Sequence, residues 1–143
     1  MSAINEWFGY YNAIFTYIER TYGQAELDNY LAYLAKVPNS DVSALYREGG
    51  LPAIEARHAA NFRKDGDETS VSTERTDDTL TMRVHCPAFY ASPEGAHPDR
   101  KVGPFLCACC KKLEGGILRE AGYTLTVAQD APGDCVWRVT KAK

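Results

Sequence analysis

Apolar residues recur every three or four positions along the first part of the chain, and this is the period of an amphipathic helix. The first predicted helix covers residues 2–20. Its apolar stripe comprises Ile4, Trp7, Phe8, Tyr11, Phe15 and Ile18. A second helix is predicted over residues 24–36. A third, short helix ends at Gly49-Gly50, and a fourth has Pro52 in its first turn, where proline is tolerated.

After Gly66 the period changes to two, as is typical of β-strands. The segments ETSVSTER and TLTMRVHC alternate apolar and polar residues, and RTDD between them predicts a hairpin turn. A second hairpin is predicted from GYTLTVAQ and DCVWRVTK, which are joined by the turn DAPGD. Between the hairpins, residues 87–104 predict a long loop, and a helix follows from Gly103 to Glu120.

These elements predict an α+β domain, in which an N-terminal helical layer packs on a small antiparallel sheet of about four strands. One helix is inserted between the two hairpins. The length of 143 residues suits a single domain spanning 1–143. Its helical half is 1–65, and its cysteine-bearing half is 66–143.

The composition excludes some classes of partner. The formal net charge is −3, so the sequence offers no basic excess for binding nucleic acid. No lysine or arginine precedes Arg20, which argues against a signal peptide, and no apolar run reaches the roughly 18 residues of a membrane span. We therefore expect a cytoplasmic protein that binds neither nucleic acid nor membrane. In that compartment its five cysteines are expected to be free, metal-bound or catalytic.

Four of the five cysteines stand at the ends of predicted elements. Cys86 ends a strand, Cys107 begins a helix where the dipole favours a thiolate, and Cys110 lies one turn further along. Cys135 follows the turn PGD. If these ends converge, Cys86, Cys107, Cys110 and Cys135 form a ligand set for zinc or another thiophilic metal. The alternative is that they pack as small apolar residues, as is predicted for Cys109.

Two histidines are candidate proton carriers. His85 neighbours Cys86 but points to the opposite face of a regular strand, and it remains a candidate general base. His58 interrupts an apolar helical stripe, so it is either a buried structural residue or a catalytic one. His97 lies in the long loop and is expected to be solvated. Asp134 is interpreted as a turn residue, with a role in a site as the alternative.

The second half of the chain contains HCPAFY, FLCACC and GYTLTVAQDAPGDCVWRV. In these segments it resembles the L-2-amino-thiazoline-4-carboxylic acid hydrolase-like family and, more remotely, the four-vinyl-reductase-type small-molecule-binding domains. The matching positions, within residues 80–140, are Cys86-Pro87, Cys107 with Cys110, and Gly133-Asp134-Cys135. The resemblance implies an enzyme that opens a small sulfur–nitrogen heterocycle by hydrolysis.

Two functional hypotheses follow. In the first, the protein is a small-molecule hydrolase that opens a C–N bond of a small heterocycle. Cys86 or Cys107 is then the nucleophile or a metal ligand, and His85 or His58 carries the proton. In the second, it is a non-enzymatic sensor or carrier that binds a small molecule and a cysteine-ligated metal. Under either hypothesis the aromatic N-terminal helices are a candidate homodimer surface.

Overall fold

The structure is a computed structural model that describes residues 3–64, 70–85, 102–131 and 133–143. Its helices are α1 (Ala3–Tyr22), α2 (Gln24–Lys36), α3 (Ser40–Lys64) and α4 (Val102–Glu120). Its strands are β1 (Ser70–Arg75), β2 (Thr79–His85), β3 (Tyr123–Ala131) and β4 (Asp134–Lys141). The N-terminal helices pack on the sheet, and α4 stands between the two hairpins in sequence, which confirms the predicted α+β fold.

The four strands form one antiparallel sheet in the order β1-β2-β4-β3. The two hairpins therefore meet through β2 and β4, which lie at the centre of the sheet. Successive side chains of a strand point to opposite faces, so each strand places one apolar row on the inner face. From β2 and β4 this inner row comprises Leu80, Met82, Val84, Cys135, Trp137 and Val139.

The main core lies between this inner face and the helices α3 and α4. Tyr46 and Ile54 of α3 and Ile117 and Leu118 of α4 are buried against the inner row of the sheet. A second core joins α1, α2 and α4, and it contains Phe15, Leu27, Leu31, Leu106 and Cys109. The opposite, outer face of the sheet carries the alternate side chains of each strand, including the polar Arg83 and His85 of β2. Any site on the outer face is thus separated from the helices by the sheet itself.

Helix α3 contains the break that the sequence predicts between two helices. Gly50 adopts φ 65° and ψ −158°, a backbone conformation that is open essentially to glycine. The helix resumes at Leu51, with Pro52 in the first turn after the break. The kink turns the second half of α3 so that Leu51, Ile54 and His58 are all buried, as the predicted stripe requires.

Helix α1 differs from its predicted orientation. Tyr11, which was placed on the buried stripe, is 44% exposed, whereas Phe15 is buried as predicted. Asn12 and Thr16 are buried in its place. The reason is that α1 packs against α2 and α4 through a face formed by Asn12, Phe15 and Thr16, and at about 100° per residue Tyr11 lies at the edge of that face. The predicted stripe residues Ile4, Trp7 and Phe8 have side chains outside the described set.

Helix α4 approaches α2 closely at a glycine. A Cβ added to Gly116 would lie 2.8 Å from Ala35 Cβ, so the absence of a side chain permits this contact. The close packing depends on Gly116 alone of the two adjacent glycines, because a Cβ at Gly115 would meet nothing within 4 Å. None of the helices in the described residues combines the length and the apolar character that crossing a membrane requires.

Candidate functional site

His85 and Asp134 form a hydrogen-bonded pair on the outer face of the sheet. They are direct cross-strand partners on β2 and β4, and His85 Nδ1 donates to Asp134 Oδ1. The pair forms because the two hairpins dock through these strands and both residues stand at the same end. A carboxylate accepts only, so it fixes Nδ1 as the protonated nitrogen and leaves the Nε2 lone pair as a base.

This pair lies in a cavity of about 340 Å³ at the end of the sheet. Small-molecule sites commonly occupy about 300–1,000 Å³, so a small ligand fits this volume. Ser70, Arg83, His85, Asp130 and Asp134 line it, together with Val84 and Cys135 of the inner row. His85 is 55% exposed and Asp134 is 43% exposed in their side chains, so the imidazole is accessible to solvent and to a ligand. The sequence prediction of His85 as an outward-facing candidate base agrees with this position.

Cys135 stands beside Asp134 in the chain but points the other way. It is 6% exposed and belongs to the inner row of the sheet, as the alternation along β4 predicts. Burial raises the pKa of the Cys135 thiol; the Lys111 ammonium of α4 opposes this effect, and the Asp134 carboxylate adds to it. The neutral thiol is therefore the favoured form, which is the character of a packing residue rather than a nucleophile.

The cysteines of α4 lie on two sides of that helix. Cys109 is buried in the core that joins α1, α2 and α4, which confirms its predicted packing role. Cys107 and Cys110 are half-buried. Because α4 packs on the inner face, these thiols and His85 lie on opposite sides of the sheet. Cys86 and His97 fall outside the described residues.

Three of the four cysteines of the predicted zinc set, Cys107, Cys110 and Cys135, lie in the described residues. In that part of the chain, no three histidine, cysteine or acidic side chains lie close enough together to hold a metal ion. Cys107, Cys110 and Cys135 thus do not form a metal site by themselves. The full set also requires Cys86, so the zinc site remains a prediction.

His58 is a core residue, held by contacts on several sides. It is 3% exposed, and its ring stacks on Tyr46 at 6.0 Å between ring centroids and packs at 5.8 Å from Trp137. Its Nδ1 atom lies 3.0 Å from the Ile54 carbonyl oxygen, which accepts only, so Nδ1 is the donor. Such burial favours the structural interpretation of His58 over the catalytic one.

Glu114 of α4 completes the environment of His58. Its Oε2 atom lies 3.3 Å from His58 Nε2. The two atoms lie close together, but they do not form a hydrogen bond with each other. Burial and the nearby Glu114 carboxylate raise the pKa of the Tyr46 hydroxyl. This group of Tyr46, His58 and Glu114 links α3 to α4 inside the core.

The sequence patterns did not identify several residues of these two sites, among them Glu114, Ser70 and Arg83. Glu114 follows Cys107 and Cys110 at helical spacings of seven and four, so its place on the inner stripe of α4 was readable from the sequence. Ser70 and Arg83 share the outer face with His85, and the alternation of β1 and β2 carried that signal. What the sequence lacked was the strand order, which alone brings Asp134 beside His85.

The functional conclusion rests on the geometry of the described residues, because comparisons with protein families and curated proteins give no match. The resemblance to the thiazoline-carboxylate hydrolase-like family remains a prediction. The sequence matches no protein-family model, and no curated protein is significantly similar to it.

Proposed function

We propose that the protein is a small-molecule hydrolase that opens a C–N bond of a small heterocycle, with His85 as its proton carrier. The observation that carries this proposal is the hydrogen bond from His85 Nδ1 to Asp134, inside a cavity large enough for a small substrate. A carboxylate that orients a histidine leaves Nε2 directed for proton transfer, as in other hydrolytic sites.

The chemistry assigned to His85 has two parts. Its Nε2 atom takes the proton of the group that attacks the electrophilic carbon of the substrate, and the Asp134 carboxylate stabilises the imidazolium that forms. The ring then gives this proton to the leaving nitrogen as the C–N bond breaks. Arg83 lines the same cavity and supplies positive charge where negative charge develops on the substrate.

The experiment is a turnover assay on a panel of small cyclic amidines, including thiazolines, with the wild-type protein and a His85→Asn variant. The matched control is Thr124→Asn, which changes an exposed residue on the outer face at the other end of the sheet. We expect wild-type and control to hydrolyse the same compound and His85→Asn to lose about 10²-fold or more of the rate. Equal rates for all three proteins would refute the role of His85.

Self-association through α1 is a further part of the proposal. Tyr10, Ile14 and Tyr17 are 57%, 44% and 61% exposed, and their spacing of four and three residues is that of a helix–helix seam. Sedimentation equilibrium is expected to show a dimer that Ile14→Glu converts to a monomer. Tyr33→Glu, at an exposed position on α2, is the control that stays dimeric. A monomeric wild-type protein would contradict the dimer.

A further inference from the structure

We infer that Ser70 is the nucleophile of the proposed hydrolase, completing a Ser70–His85–Asp134 row across three neighbouring strands. Ser70 of β1 is the direct cross-strand partner of His85, and His85 is the partner of Asp134. Directly opposed residues share one face of a sheet, with Cβ atoms about 4.5–5.5 Å apart. The three side chains therefore stand in line on the outer face, and all three line the same cavity.

The orientation of the imidazole favours this order of roles. Its Nδ1 atom is bonded to Asp134 on the β4 side of β2. The Nε2 atom belongs to the opposite edge of the ring, so it is directed toward β1, where Ser70 stands. Ser70 is exposed on the edge strand, and rotation about its χ1 angle moves Oγ between staggered positions. Such a rotation brings Oγ toward Nε2, and nucleophile–base hydrogen bonds are often long before substrate binds.

The proposed reaction has two stages, formation of a covalent adduct on Ser70 and its hydrolysis. Ser70 Oγ forms a bond to the electrophilic carbon of the substrate as its proton passes to His85 Nε2. The C–N bond breaks, and the leaving nitrogen takes that proton. Water then attacks the covalent adduct and gives one proton to Nε2, the C–O bond to Ser70 breaks, and Ser70 Oγ recovers the proton. The enzyme returns to its starting state with one water consumed.

The test uses a fluorophosphonate probe, which transfers a phosphonyl group to an activated serine with loss of fluoride. Intact-mass measurement and peptide mapping of the full-length protein locate the label. We expect one label per chain on Ser70, no label on Ser70→Ala, and a labelling rate reduced by about 10²-fold or more in His85→Asn. Ser40→Ala, which removes an exposed serine at the start of α3, is the control that labels like wild-type.

Turnover separates this inference from the proposed function on which it rests. Loss of hydrolysis in both Ser70→Ala and His85→Asn supports the row as a unit. Full activity in Ser70→Ala with loss in His85→Asn would overturn the role of Ser70 while leaving the hydrolase proposal intact. A label on Ser72 or another residue would overturn it as well. Activity retained in both variants would refute the proposed function itself.

Discussion

His58 Nε2 lies 3.3 Å from Glu114 Oε2 inside the hydrophobic core, while the other ring nitrogen donates to the Ile54 carbonyl. The contact is a close approach of two polar groups and not a hydrogen bond. This pair fixes α4 against the second half of α3, directly beneath Trp137 of the sheet. It is a polar contact inside an apolar core, and it orients these two helices relative to each other.

Removing one member of this pair is expected to destabilise the fold. Glu114→Ala removes the carboxyl group 3.3 Å from His58 Nε2, and the loss of a buried polar contact costs roughly 1–3 kcal/mol. The measurement is the free energy of unfolding from urea titration. Glu120→Ala, an exposed glutamate at the end of the same helix, serves as the control with little change. Equal stability of the two variants would mean that the His58–Glu114 contact does not contribute.

Two glycine substitutions, one at the kink of α3 and one within α4, are expected to change the stability of the fold in opposite directions. Gly50→Ala places a side chain at φ 65° and ψ −158°, and such a conformation costs roughly 1–3 kcal/mol for a non-glycine residue. Gly115→Ala, at a helical position where a Cβ meets nothing within 4 Å, is expected to stabilise by about 0.5–1 kcal/mol. Urea midpoints measure both changes. A neutral Gly50→Ala would show that α3 does not need its glycine at the kink.

The Asp134 carboxylate is expected to control the rate of the proposed reaction. In Asp134→Asn the side-chain amide can donate to Nδ1, which favours the wrong tautomer of His85. The turnover rate is then expected to fall by roughly 10²–10⁴-fold, with a smaller change in KM because the cavity keeps its shape. Asp77→Asn, in the exposed turn between β1 and β2, is the matched control. A rate unchanged by Asp134→Asn would leave Asp134 with only a structural role.

The thiol of Cys135 is expected to resist alkylation. Only the thiolate reacts, and burial raises the pKa of Cys135, so little thiolate forms at mildly alkaline pH and the reagent has poor access to it. Iodoacetamide labelling followed by peptide mapping is expected to modify the half-buried Cys107 well before Cys135. Denatured protein, in which every thiol reacts, is the reference. Rapid labelling of Cys135 in the folded protein would contradict its inward position.

Alternation and helical spacing were sufficient to predict the faces of the elements. Cys135 and Cys109 are buried, and His85 faces outward, because a strand has period two and a helix has a period of about 3.6. The predicted stripe of α1 is wrong at Tyr11. A tyrosine tolerates exposure because it is amphipathic, and α1 packs against α2 and α4 through a slightly rotated face.

The pairing of His85 with Asp134 was not predictable from these patterns. Each hairpin has two strands through which it can dock, so several strand orders are possible. Only the β2–β4 contact aligns the end of β2 with the start of β4. The same limit applies to His58 and Glu114, whose residues come from helices far apart in sequence. Periodicity placed His58 on a helical stripe, but its contact with Glu114 depends on how α3 turns at Gly50.

We propose that hydrolysis takes place on the outer face of the sheet and not among the cysteines of α4. The most direct measurement compares hydrolysis of one cyclic amidine by His85→Asn and by a Cys107→Ser, Cys110→Ser double variant, each checked for folding by circular dichroism. We predict loss of turnover in His85→Asn and a rate close to wild-type in the double variant. A folded double variant without activity, beside an active His85→Asn, would contradict the claim and place the chemistry at the thiols.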